Sequence, residues 1–180
     1  MSMNRATIHK LTACALLSAL ATLSFIIEGL FPPLILPGAR MGVSNVFILL
    51  SALVLGSVYG YATLAIKVIL GSLLSGNVTG VLYALPAGLF ALTTELLAIN
   101  FIKKVSVVSV SVLGAVINIT AQNVIFCLVT QTTEYLSYVP YLSLIGIIGG
   151  LTVGFAVYLI IKILPKKYFA ESKNTQETET

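Results

Sequence analysis

The stretch SVVSVSVLGAVINITAQNVIFCLVT, residues 106–130, is 25 residues long and contains no charged side chain. A helix needs roughly 20 predominantly apolar residues to cross the hydrocarbon core of a bilayer. This stretch is long enough to cross, and it carries three amide side chains, of which Asn118 and Gln122 are four residues apart and Asn123 is the third. Residues at this spacing lie on the same face of a helix. The stretch therefore predicts a membrane helix with a polar stripe on one side.

The composition of the whole chain extends this prediction. The 180 residues are 58% hydrophobic and 9% charged, whereas a soluble domain is about 25% charged. We therefore expect an all-α membrane protein, a single bundle of six transmembrane helices over residues 1–169, followed by a disordered polar tail at 170–180. The predicted helices are 8–28, 42–57, 59–75, 80–102, 106–130 and 139–164.

The basic residues predict how this bundle is oriented. Lys and Arg residues occur at three places along the chain: before the first helix, between the fourth and fifth helices (Lys103 and Lys104), and after the sixth helix. Six crossings place all three groups on one side, which the positive-inside rule makes the cytoplasmic side. We expect a multi-pass protein of the bacterial cytoplasmic membrane, with both termini in the cytoplasm. Topology explains the net charge of +4, so no nucleic-acid partner is expected.

Four charged residues do not follow this pattern, and they point to a binding site. Arg40 follows a proline-containing segment on the side opposite the other cations, Lys67 and Glu95 lie within predicted helices, and Glu28 lies at the end of one. A charge in the membrane usually faces a bundle interior or a water-filled cavity. An alternative is a structural ion pair between Lys67 and Glu95. The residues that we predict to bind substrate are Arg40, Asn45, Lys67, Asn118, Gln122 and Glu95.

The sequence predicts a binding protein rather than an enzyme. It contains no P-loop of the form GxxxxGK[ST], so energy from ATP would have to come from partner subunits. It contains no Asp, and its Glu residues form no spaced pair within the membrane region. Magnesium-dependent diphosphate chemistry depends on such carboxylates. We predict no catalytic residue, no metal site and no cofactor.

Small residues form two ridges on the predicted helices. Ala15 and Ala19 have AxxxA spacing in the first helix, and Gly146, Gly150 and Gly154 recur every four residues in the sixth. Such ridges let membrane helices approach closely. Packing inside the bundle and contact with a partner subunit are both consistent with the first ridge.

Three segments resemble motifs of the Gx transporter family, which is also called heptaprenyl diphosphate synthase component I. They are PGARMGVSN at 37–45, IKVILGSLLSGN at 66–77 and GAVINITAQN at 114–123. Lys67 stands where the family pattern has Arg, and Asn118 where it usually has His. The family is similar to the substrate-binding S components of energy-coupling factor (ECF) transporters.

This resemblance implies a six-helix bundle whose substrate lies near the outer face. It also implies that Ala15 and Ala19 contact a coupling membrane subunit, which works with ATPases. The expected function is binding of a small anionic or amphipathic metabolite, such as a vitamin or an isoprenoid precursor, for import. Alternatives are a non-catalytic membrane subunit associated with prenyl diphosphate synthesis or a quinone/redox pathway, and a standalone ion-coupled carrier.

Overall fold

The computed structural model describes residues 5–30, 42–102 and 105–164, and within these ranges it contains helices and no strand. This confirms the all-α prediction. Short 3₁₀ turns at Val78–Gly80 and Glu134–Tyr138 precede the fourth and sixth helices. The α-helices are α1 (Arg5–Leu30), α2 (Asn45–Val54), α3 (Ser57–Leu74), α4 (Val81–Phe101), α5 (Val107–Thr130) and α6 (Val139–Ile163).

Five of these helices are long and apolar enough to cross a membrane, and α2 is the exception. It has 10 residues, about 15 Å at the usual rise, roughly half of a hydrocarbon core. Its end is set by Gly56, whose φ of 117° and ψ of 162° form a combination that essentially only glycine adopts. The predicted helix over 42–57 is therefore too long, and the sixth crossing stays a prediction.

Contacts between helices establish their relative directions. Cys14 and Phe25 of α1 lie near Thr63 and Gly71 of α3, respectively, so α1 and α3 run in the same direction. Two pairs, Tyr61 with Thr93 and Leu64 with Gly88, show that α4 runs opposite to α3. Similar pairs show alternating directions through α6. The start of α1 and the end of α6 therefore lie at the same end of the bundle. Which side of the membrane that end faces stays a prediction.

The glycine ridge of α6 packs directly on α5. The spacing predicted close packing at this ridge but did not identify the partner helix. A Cβ atom at Gly150 would lie 2.7 Å from the Cα of Val112, and one at Gly154 would lie 2.7 Å from the Cα of Val108. Real Cβ atoms essentially never approach another atom this closely. The distance between these two helices therefore depends on glycine at both positions, and α5 and α6 together form one wall of the bundle interior.

Buried hydroxyl groups connect the first three helices. Thr63 of α3 donates a hydrogen bond to Ser51 of α2 at 3.0 Å and accepts one from Ser18 of α1 at 3.4 Å. All three residues are buried. Polar groups that are removed from water are costly unless they are hydrogen-bonded. These bonds hold α1, α2 and α3 in register one helical turn from Lys67.

Several predictions fall outside the described residues. Arg40 and the proline-containing segment around it lie there, as do Lys103 and Lys104 and the tail from residue 170. The placement of Arg40 in the binding site and the disorder of the tail stay predictions.

Candidate functional site

A cavity of about 460 Å³ lies inside the bundle and is lined by residues of all six helices. Five of the six residues that we predicted to bind substrate line it. Arg40 lies outside the described residues. The cavity opens at the end of the bundle where α1, α3 and α5 terminate. From there it extends toward the middle of α4. Its lining includes Asn45, Lys67, Glu95, Asn118 and Gln122.

Lys67 is buried inside the bundle, with 6% of its surface exposed. Its ammonium group donates a hydrogen bond to the side-chain oxygen of Asn45 at 2.8 Å. The same nitrogen lies 5.5 Å from the ring centroid of Phe25, within the range of a cation–π contact. These contacts hold the positive charge at the cavity wall rather than letting it reach toward lipid headgroups.

Glu28 joins the end of α1 to the start of α2. Its carboxylate oxygens accept hydrogen bonds from the backbone N–H groups of Ser44 at 2.8 Å and Gly42 at 3.2 Å. Ser44 is the N-cap of α2, and its own side chain makes no capping hydrogen bond. A carboxylate at a helix N-terminus satisfies free donors and interacts favourably with the helix dipole. Glu28 therefore positions Asn45, the first residue of α2, beside Lys67.

A stripe of polar side chains faces the cavity from α4 and α5. Gln122, Asn118 and Gly114 follow one another at four-residue spacing along α5, and the carboxylate of Glu95 packs against Gly114. A Cβ atom at position 114 would overlap that carboxylate, so the glycine makes room for it. We call Glu95, Asn118 and Gln122 the polar stripe.

The polar stripe has unused hydrogen-bonding capacity. Among the described residues, the side chains of Glu95, Asn118 and Gln122 have no hydrogen-bond partner. Their neighbour Asn123 differs, because its amide donates to the backbone oxygen of Ile119 at 2.9 Å. No side-chain polar atom in the described ranges is both fully buried and unpaired. The polar atoms of the stripe are therefore open to the cavity.

Aromatic residues complete the lining near the open end. The rings of Tyr83 on α4 and Phe126 on α5 meet edge to face, with centroids 5.5 Å apart and planes at 90°. Both line the cavity, as does Phe25. None of the three could be predicted from the sequence, because an aromatic residue in an otherwise apolar helix does not indicate whether it faces a cavity or lipid.

The comparison with known families bears on this bundle as a whole. The sequence model of the family described as heptaprenyl diphosphate synthase component I matches residues 17–160. The chain belongs to this family. The matched region runs from α1 into α6 and contains every residue of the polar stripe. Neither the comparison with curated proteins nor the comparison with solved structures gives a significant match.

In this family member three charged residues line the cavity, Glu28, Lys67 and Glu95, and they lie at different depths. Lys67 contacts Asn45 and Phe25, whereas Glu95 packs against Gly114. Lys67 lies 7 residues before the end of α3, and Glu95 lies 14 residues after the start of α4. At 1.5 Å per residue, Glu95 is roughly 10 Å deeper in the bundle. The cavity thus presents Lys67 and Glu28 toward its open end and Glu95 near its floor.

Proposed function

We propose that this chain is the substrate-binding membrane subunit of an ECF-type importer for a small anionic or amphipathic metabolite. The observation that carries the proposal is the polar cavity inside an otherwise apolar bundle. Its volume of about 460 Å³ lies within the range of small-molecule binding sites, about 300–1,000 Å³. Polar side chains with open hydrogen-bonding capacity are costly inside a membrane protein unless they serve a ligand, ion or proton.

The surface of α1 supports the proposed association with a coupling subunit. Ala15 and Ala19 lie on the exposed face of α1, whereas Ser18 on the opposite face is buried. The small-residue ridge is therefore not used for packing between the described helices. A ridge of this kind allows a second membrane protein to approach the α1 backbone closely. A coupling membrane subunit that binds ATPases is the partner that we propose for this face.

In the proposed importer this chain binds substrate and catalyses no reaction. Prenyl diphosphate chemistry requires magnesium, which is held by carboxylates and substrate phosphates. The sequence contains no Asp, and the described residues contain no group of three His, Cys, Asp or Glu side chains that could hold a metal ion. The family description names a synthase component, so the alternative is a non-catalytic membrane subunit that associates with a soluble synthase or a quinone pathway.

A second alternative is a standalone carrier in which Glu95 and Lys67 relay protons. Uptake by such a carrier survives ATP depletion and stops when the proton gradient is dissipated. Uptake by the proposed importer shows the opposite dependence, because ATP hydrolysis by partner subunits drives it.

Replacing Ala15 with Leu tests the proposed partner face. The larger side chain projects from an exposed position, so the isolated chain should fold normally, while the coupling subunit can no longer approach α1 closely. We expect the tagged variant to recover less than about a tenth of the partner subunits that the wild type recovers in a detergent pull-down, since a loss of 1.4 kcal/mol already weakens association tenfold.

The matched control is Thr152→Leu, which adds a similar side chain to an exposed position of α6. It should recover partners as the wild type does. Equal recovery by Ala15→Leu and wild type would remove α1 from the interface.

A further inference from the structure

We infer that the substrate carries a protonated amine in addition to its anionic group, and that this amine binds the carboxylate of Glu95 at the floor of the cavity. The inference rests on the proposed function and narrows it, because it describes the chemistry of the substrate for the same site. It follows from the way in which the three charged residues of the cavity are compensated.

The charges near the open end of the cavity offset one another. Each carboxylate oxygen of Glu28 already accepts a backbone N–H group, one from Ser44 and one from Gly42. These donors lie at the start of α2, where the positive end of the helix dipole offsets the charge of Glu28. The ammonium group of Lys67 donates to Asn45 at the start of the same helix. A ligand can therefore place its anionic group beside Lys67.

The carboxylate of Glu95 has no such compensation. Among the described residues it forms no ion pair and accepts no hydrogen bond. Lys67 is the only basic residue among the described residues that line the cavity, and it lies roughly 10 Å nearer the open end. The adjoining turn of α4 lines the cavity with Ala91 and Leu92, which are apolar. An ionised carboxylate in such surroundings is costly unless a cation pairs with it.

The floor of the cavity has room for one cationic group. The carboxylate of Glu95 packs where Gly114 has no side chain, and Asn118 follows one turn further along α5 toward the open end. Residues four apart on a helix have Cβ positions about 5–6 Å apart, so one ammonium group can reach both the carboxylate and the amide oxygen. Gln122 lies a further turn away and takes no part in this contact. The floor therefore fits a single group at the end of a ligand.

An ammonium group suits this site better than a neutral donor does. It has three N–H donors, whereas an ionised carboxylate only accepts hydrogen bonds. Charge-assisted hydrogen bonds are shorter and stronger than neutral ones, and the positive charge also compensates Glu95. The substrate class is therefore an elongated amphoteric metabolite, such as an ω-amino acid, whose anionic end lies beside Lys67 and whose amine lies roughly 10 Å deeper.

Isosteric probe pairs test this inference with the purified chain in detergent micelles. The first pair is 8-aminooctanoate and 8-hydroxyoctanoate, which share the anionic group and the chain and differ only in a terminal ammonium or hydroxyl group. A more rigid pair is 4-(aminomethyl)benzoate and 4-(hydroxymethyl)benzoate. We expect calorimetry to show that at least one amine binds at least about tenfold more tightly than its alcohol, because an ion pair with Glu95 replaces a neutral hydrogen bond.

Two substitutions identify the carboxylate that makes the distinction. Glu95→Gln keeps the shape of the side chain and removes its charge, so the preference for the amine should fall to about twofold or less while the alcohol still binds. Glu28→Gln removes the charge of the other carboxylate, and the preference should persist even where the affinity for both probes falls. Glu134→Gln, at an exposed position outside the cavity, is the matched control and should keep both the affinity and the preference.

Equal binding of amines and alcohols by the wild type, or no binding of either amine at millimolar concentration, would overturn the inference. So would an unchanged preference in Glu95→Gln, or a preference that is lost only in Glu28→Gln. The Ala15→Leu pull-down reports on a different surface. If the wild-type chain recovers ATPases and a coupling subunit but shows no preference for an amine, the proposed function stands and the substrate class is wrong. If it prefers an amine but recovers no such partners, the importer proposal is wrong.

Discussion

Replacing Gly150 with Leu is expected to separate α5 from α6 and to give the largest loss of stability of any single substitution considered for this chain. The new side chain would meet backbone atoms of α5, since even its Cβ would lie 2.7 Å from the Cα of Val112. Backbone atoms of a helix cannot move aside as a flexible side chain can. Overpacking typically lowers the free energy of unfolding by about 1–3 kcal/mol. Because this clash involves backbone atoms, we expect a loss of about 3 kcal/mol or more.

Thermal unfolding of the purified chain in detergent measures this effect. The loss of monodisperse protein with rising temperature is the signal. For a chain of this size we expect the midpoint to fall by about 10 °C. Thr152→Leu adds bulk to the exposed face of the same helix and should change the midpoint by less than about 2 °C, as surface substitutions usually cost little. A midpoint that does not differ between Gly150→Leu and Thr152→Leu would contradict the close packing of α5 and α6.

Replacing Lys67 with Met is expected to abolish retention of an anionic substrate while the chain stays folded. Methionine occupies roughly the volume of the lysine stem and removes the charge. Hydrogen bonds to charged groups contribute about 1.5–3 kcal/mol, so we expect a loss of affinity of about 10- to 100-fold. Mass spectrometry of small molecules that remain bound through purification measures the retention, and Lys162→Met is the matched substitution outside the cavity.

This experiment also distinguishes substrate binding from a structural ion pair. If Lys67 pairs with Glu95 within the fold, Lys67→Met leaves a buried carboxylate without its partner and destabilises the chain. The double variant Lys67→Met with Glu95→Gln should then restore folding. Normal folding of the single variant with loss of ligand supports a role in binding, and normal folding with full retention of ligand would remove Lys67 from the site.

The architecture could be predicted from the sequence because membrane helices are defined mainly by length and apolarity. Residues 106–130 correspond closely to α5, Val107–Thr130. The prediction was least accurate for α2, because Gly56 ends this helix through backbone dihedral angles that hydrophobicity does not reveal. The glycine ridge of α6 was recognisable from its four-residue spacing, but only the structure identifies α5 as the helix that it packs against.

The site could be predicted only in part. Polar residues such as Lys67 and Asn118 were identifiable because a polar group within a membrane helix is costly and therefore informative. Phe25 and Tyr83 could not be identified as cavity residues from the sequence. Their helices carry apolar side chains on every face, so the periodicity does not reveal which face points into the bundle. The role of Glu28 depends on backbone donors 14 and 16 residues away, a contact that only the folded chain creates.

Affinity purification of the tagged chain from its native membrane in mild detergent, with mass spectrometry of the co-purifying proteins and small molecules, tests the central proposal most directly. We expect to recover a pair of ATPases and a coupling membrane subunit, together with a small anionic metabolite that is lost from the Lys67→Met variant. Recovery of a prenyl diphosphate synthase or a redox partner without those ATPases would contradict it, and would favour the alternative of a non-catalytic membrane subunit in isoprenoid or quinone metabolism.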